Sequence, residues 1–84
     1  MEPIKVVSWY DYLRKHPTFT GCLINKDSDI SWYKDGVVHR EDGPACEWDD
    51  GDKWWWLNGQ EYSEQDYKIA MRKSKLKKVL KQIG

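Results

Sequence analysis

One stretch of this chain is written twice, 23 residues apart. Trp32-Tyr33-Lys34-Asp35-Gly36-Val37-Val38-His39 returns as Trp55-Trp56-Leu57-Asn58-Gly59-Gln60-Glu61-Tyr62. An aromatic pair, an Asp or Asn, a Gly and a closing His or Tyr keep their places. A repeat of this length is one supersecondary unit that cannot bury its own apolar face, so two copies must lie against each other. Asp35-Gly36 and Asn58-Gly59 are signals for tight type I′ corners between antiparallel strands.

The rest of the unit follows from alternation and turn chemistry. Thr18 to Asn25, Ile30 to Lys34, Val37 to Arg40, Ala45 to Asp49, Lys53 to Leu57 and Gln60 to Tyr62 read as strands. Lys26 to Asp29 and Asp50-Gly51 are turns at the same 23-residue offset, and Glu41-Asp42-Gly43-Pro44 is a loop that interrupts regular pairing. Pro3 to Val7 is a short apolar lead that could form a strand. Ser8 caps a short helix through Lys15 that His16-Pro17 ends. A second reading of that segment stays open: Trp9, Tyr10 and His16 stand 23 residues before Trp32, Tyr33 and His39, as a decayed third copy would. Ser63 caps a long helix to about Gln82, with Glu64 and Asp66 in its first turn. The expected class is α+β: an antiparallel meander of about five or six strands, a short N-terminal helix and a long basic C-terminal one. One domain is expected over residues 1–84, made of a 1–19 segment, the 20–62 repeats and the 63–84 helix.

Charge is divided along the chain. Residues 1–66 hold seven Lys/Arg against fourteen Asp/Glu, and residues 67–84 hold seven Lys/Arg and no acid. Such a tail serves an anionic partner, the acidic body or a sister chain. At about 100° per residue, Ile69, Leu76, Val79, Leu80 and Ile83 share one face of the helix, and Tyr67, Ala70 and Met71 lie nearly opposite. Leu76, Val79, Leu80 and Ile83 are therefore candidates for contact with a partner, including a homodimer through this helix. Arg72, Lys73, Lys75, Lys77, Lys78 and Lys81 are candidates for phosphate contact with a nucleic acid, or for a solvated face.

Three tryptophans in a row, Trp54-Trp55-Trp56, send Trp54 and Trp56 to one face and Trp55 to the other. Trp54 and Trp56 are candidates for a contact surface, with burial under the N-terminal segment and the helix as the plainer reading. His39 and Asp42 have the residue types of an acid–base pair, but Tyr62 fills the His39 position in the second copy, which suits packing and not proton transfer. They are read as loop and turn braces, and no catalytic residue is assigned. Cys22, Cys46, His16 and His39 lack zinc-ligand spacing, so no metal and no cofactor is expected, and the cysteines are read as free thiols. No secretory signal or membrane-crossing run is evident, which leads to a cytoplasmic expectation.

The run Gly36-Val37-Val38-His39-Arg40-Glu41-Asp42-Gly43-Pro44-Ala45, then Asp50-Gly51, then Trp55-Trp56-Leu57-Asn58-Gly59-Gln60-Glu61-Tyr62, resembles a β-hairpin repeat of small proteins from tailed phages and large DNA viruses. It is distantly similar to MORN-type repeats. The resemblance covers about residues 20–67 and implies an accessory protein with a surface built for contact and no family-wide catalytic residue. It implies a non-enzymatic, anti-defence protein that binds and inhibits a host protein, such as a toxin or nuclease-type defence factor, in the host cytoplasm. Competing readings are an RNA-binding module, a sponge for a nucleotide ligand with a Trp stack and Arg40 or a Lys on phosphate, and a small hydrolase using His39 and Asp42.

Overall fold

The computed structural model describes the backbone of residues 2–83 and the side chains of residues 2–76. Its strands are β1 (Ile4–Lys5), β2 (Gly21–Ile24), β3 (Ile30–Lys34), β4 (Val37–Val38), β5 (Cys46–Glu47), β6 (Lys53–Leu57) and β7 (Gln60–Tyr62). Two helices, α1 (Trp9–Lys15) and α2 (Glu64–Ile83), complete the α+β fold. The strands form one seven-stranded sheet in the order β1-β2-β3-β5-β6-β7, with β4 also on β3. Pairing is antiparallel except for β1, which runs parallel to β2.

The duplication is real in three dimensions. In the first copy Asn25 N–H donates to Asp29 O (3.1 Å) and Ser28 N–H to Asn25 O (3.1 Å); in the second Trp48 N–H donates to Asp52 O (2.9 Å) and Gly51 N–H to Trp48 O (2.9 Å). The residues with positive φ also match, Ser28 at 68° with Gly51 at 97°. The tight corners agree as closely: Asp35 and Gly36 have φ of 52° and 81°, Asn58 and Gly59 of 52° and 79°. Two consecutive positive φ angles are what a type I′ hairpin needs, and Asx-Gly supplies them at least cost.

The two copies join through an interrupted strand. β4 pairs with the end of β3 (Tyr33 with Val38, Lys34 with Val37) and β5 with its start (Ile30 with Glu47, Ser31 with Cys46). Trp32 spans the gap: its N–H donates to Ala45 O (2.8 Å) and its C=O accepts from His39 N–H (3.0 Å). Arg40 keeps one bond to the sheet, its N–H donating to Trp56 O (3.2 Å), and from there to Pro44 the chain bulges out. Neighbours in the sheet follow the order of the chain, so the expected antiparallel meander holds, with β4 and β5 as two parts of one interrupted strand beside β3. Counted as one interrupted strand, β4 and β5 leave six strands in the sheet, within the expected five or six.

Register sorts the side chains between two faces. Leu23, Ser31, Cys46 and Trp54 line up across β2, β3, β5 and β6 on one face, and Leu23 and Ser31 are fully buried. Helix α1 covers this face through aromatic contacts. Trp9 meets Trp48 (5.6 Å between ring centres) and Trp48 meets Trp54 (5.5 Å). Tyr12 meets Phe19 (5.2 Å) and Phe19 meets Tyr33 (6.3 Å). Rings of this size supply most of the apolar area in a chain with few aliphatics. Ser8 caps α1 by accepting Asp11 N–H on its side chain, so the helical reading of residues 9–15 stands and the third-copy reading does not. The opposite face carries Cys22, Trp32, Trp55 and Tyr62. Helix α2 covers it, with Tyr67 against Trp55 at 4.9 Å. Cys22 and Cys46 are buried free thiols on opposite faces of the sheet. No helix among the described residues is long and apolar enough to cross a membrane.

Candidate functional site

The His39-Arg40-Glu41-Asp42-Gly43-Pro44 bulge is built around Arg40. Its Nε donates to Asp42 Oδ1 (2.8 Å), and its Nη1 donates to Pro44 O (3.0 Å) and Glu47 Oε1 (3.3 Å). The guanidinium also stacks 4.2 Å from the centre of the Trp32 ring. A rigid, planar cation can fill two carboxylates, a carbonyl and a ring face at once, which a lysine cannot. The hydrogen bond from Arg40 holds the Asp42 carboxyl below the ordinary carboxylate range. Asp42 braces the loop as one of the acceptors of Arg40, which gathers the remaining contacts.

Tyr67 of α2 locks onto this bulge. Its hydroxyl donates to Arg40 O and accepts Gly43 N–H (3.3 Å). The residue is buried, and that burial pushes its phenol up from the usual value. The start of α2 is thus fixed by one side chain that joins the repeat motif to the helix. Ser63 completes the start by accepting Asp66 N–H (3.1 Å).

His39 acts on the neighbouring corner. Its Nδ1 accepts Asn58 N–H (2.9 Å), and Gly59 N–H donates to Val38 O (2.9 Å). The Nε2 of His39 lies 3.5 Å from Glu41 Oε1 without hydrogen-bond alignment. The first copy repeats the docking with other chemistry: Thr20 Oγ1 accepts Asp35 N–H (2.9 Å) and Phe19 O accepts Gly36 N–H (2.8 Å). Phe19-Thr20 therefore does for the first corner what Val38-His39 does for the second. Because Asp42 is bonded to Arg40 and His39 to a backbone N–H, the two do not form an acid–base pair.

The candidate contact residues fall on different faces. Trp54, 42% exposed, lies on the α1 side, as does the half-buried Trp56. Helix α2 lies on the other side. The two sets of candidates cannot form one contact surface, because the sheet separates them. Along α2, Tyr67, Ala70, Met71 and Ser74 turn inward, while Ile69 is 40% and Leu76 60% exposed. Arg72, Lys73 and Lys75 are exposed as well, and Lys68 pairs with Glu64 at 3.2 Å. The side chains of Lys77, Lys78, Val79, Leu80, Lys81 and Ile83 lie outside the described residues.

An open cleft of about 800 Å³ separates α2 from the sheet, walled by Trp32, Lys34 and Arg40 on one side and Met71, Ser74 and Lys75 on the other. Nothing in the sequence pattern announced it, since its walls come from strand, bulge and helix far apart in the chain. Among the described residues, no group of three or more His, Cys, Asp or Glu is placed to hold a metal ion.

Fold and site together define a small repeat scaffold that seats one amphipathic helix and leaves its outer face uncovered. The chain matches no protein-family model, no curated protein and no solved structure.

Proposed function

We propose that this is a non-enzymatic binding protein that captures and inhibits a protein of the host cell, with the outer face of α2 as the docking surface. The observation that carries this reading is the division of α2. One side turns to the scaffold, with Tyr67 and Ala70 packed toward it and Met71 and Ser74 walling the cleft; the other presents Ile69 and Leu76, seven residues apart, beside Arg72 and Lys73. An apolar stripe with basic flanks fits a groove with an apolar floor and an acidic rim. The polar residues of the repeat motif hold the scaffold and the helix together, which leaves recognition to the helix. The resemblance to phage repeat proteins supports a role against host defence factors and a cytoplasmic site of action.

The test is capture from bacterial lysate with the wild-type chain and with an Ile69→Asp, Leu76→Asp double variant. Both positions are exposed, so the variant keeps its fold. A partner retained in stoichiometric amount by the wild type and lost by the variant supports the proposal. Equal retention by both removes it.

The nucleotide-ligand reading keeps one observation in its favour, the cleft with Lys34 and Lys75 on its walls. Arg40 does not serve it, because Asp42 and Glu47 already neutralise the guanidinium. A thermal shift with nucleotides that disappears in Lys34→Ala and Lys75→Ala would favour that reading over protein capture. Nucleic-acid contact through Arg72, Lys73 and Lys75 predicts retention on heparin that fades with salt.

A further inference from the structure

The outer face of α2 has a complement on this same chain. Residues 67–84 carry seven cations and no acid, while the body carries twice as many acids as cations. The acids are not evenly spread. The 25–29 and 48–52 corners stand together at one end of the sheet, joined by the bond from Asp49 N–H to Asp29 Oδ1 (2.8 Å). They gather Asp29, Asp49, Asp50 and Asp52 around the indoles of Trp48 and Trp54, with a shallow groove of about 320 Å³ between them.

Indole walls with a carboxylate rim suit a cation on an apolar stem. The charge meets carboxylates and ring faces, and the stem lies on the rings. Helix α2 presents that combination, since Arg72 and Lys73 flank Ile69 and Leu76 on its exposed side. The groove does not receive the helix of its own chain: Trp54 and α2 are on opposite faces of the sheet. Pairing of α2 with another α2 sets cation against cation along most of its length. Charge complementarity therefore selects the acidic, aromatic end of a second molecule.

We infer that the outer face of α2 in one molecule docks into the Trp48–Trp54 groove of a second copy, head to tail. The inference rests on the reading of that helix face as a docking surface and names what covers it when no foreign partner is bound. The contact joins two different patches, so it is heterologous, and it extends with concentration unless it closes into a ring. Its ionic part weakens with salt.

The experiment is light scattering coupled to size exclusion, on the full chain, over a range of concentration and salt. The wild type is expected to rise above its monomer mass of 10.1 kDa at low salt and to return to it at high salt. Two variants separate the patches. One carries Arg72→Glu and Lys73→Glu. The other carries Asp49→Lys and Asp52→Lys, chosen because Asp29 and Asp50 supply the carboxylate bonds that shape the corners. Each variant alone is expected to stay monomeric, and an equimolar mixture is expected to associate again, because each now complements the other. A groove variant that associates like the wild type overturns the inference in favour of helix–helix pairing. A wild type that stays monomeric throughout, or a mixture that does not associate, overturns it too. Loss of lysate capture by Ile69→Asp, Leu76→Asp is read separately, so the two readings can fail independently.

Discussion

Replacing Tyr67 by Phe removes one oxygen and leaves the ring in place against Trp55. That oxygen donates to Arg40 O and accepts Gly43 N–H, in a residue that is only 4% exposed. Each bond is worth about 1 kcal/mol net, and a carbonyl left without its donor in a partly buried site adds a further desolvation cost. The sum is a loss of about 1.5–2.5 kcal/mol. For a domain of this size that lowers Tm by roughly 6–20 °C. Urea unfolding followed by tryptophan fluorescence measures it, and an unchanged slope would show that the denatured state is unaffected. A loss below about 0.5 kcal/mol would refute the claim that this hydroxyl seats α2 on the bulge. The same phenol gives a pH signature. Burial raises its pKa in the folded chain, so the unfolded chain gives up the proton first as pH rises. Its contribution is complete below the ordinary phenol value of about 10 and falls away above it.

Five further outcomes follow from the same geometry. Gly36→Ala should cost at least about 3 kcal/mol and yield little folded protein, because a Cβ there would sit 1.8 Å from Pro17 O at a φ of +81°; Gly51→Ala, with nothing within 4 Å, should cost only about 1–2 kcal/mol of left-handed strain. Arg40→Lys should lose about 1–3 kcal/mol in denaturant melts, since an ammonium cannot replace the planar contacts to Asp42, Glu47 and Trp32. His39→Ala should destabilise by about 1 kcal/mol and speed amide exchange at Asn58, whose N–H loses its acceptor. The buried Cys22 and Cys46 thiols are pushed up in the folded chain, chiefly by burial, so stability should begin to fall above about pH 8.5, where unfolded thiols ionise.

The corners, strand cores and helices were legible because each rests on local chemistry. Asp35-Gly36 and Asn58-Gly59 demand one geometry, Lys53–Leu57 alternates, and Ser8 and Ser63 announce helix starts. The two opposed apolar sides of α2 were legible from angular spacing, but which of them meets the scaffold was not; burial of Tyr67 with exposure of Ile69 and Leu76 decides it. Long-range pairings were not legible. The Arg40 clamp depends on Glu47 and Trp32, and its lock depends on Tyr67, 27 residues from Arg40. The shared edge of β3 also escaped, because it depends on how the 40–44 bulge folds out. Alternation placed Trp54 opposite Trp55 but could not say which face α2 would cover, nor therefore that the sheet divides the two sets of contact candidates. Phe19-Thr20 was missed as the first corner's support because it sits outside the 23-residue frame: its hydroxyl does the work of an imidazole.

The most direct test of the central claim is the accessibility of the two sides of α2. A soluble paramagnetic probe, read on the methyl and aromatic resonances of the monomer at high salt, measures both sides of the helix. Strong broadening is predicted at Ile69 and Leu76, with weaker broadening at Met71 and at the Tyr67 ring. Protected Ile69 and Leu76 beside an exposed Tyr67 would mean that the helix sits the other way round, and the docking surface described above would not exist.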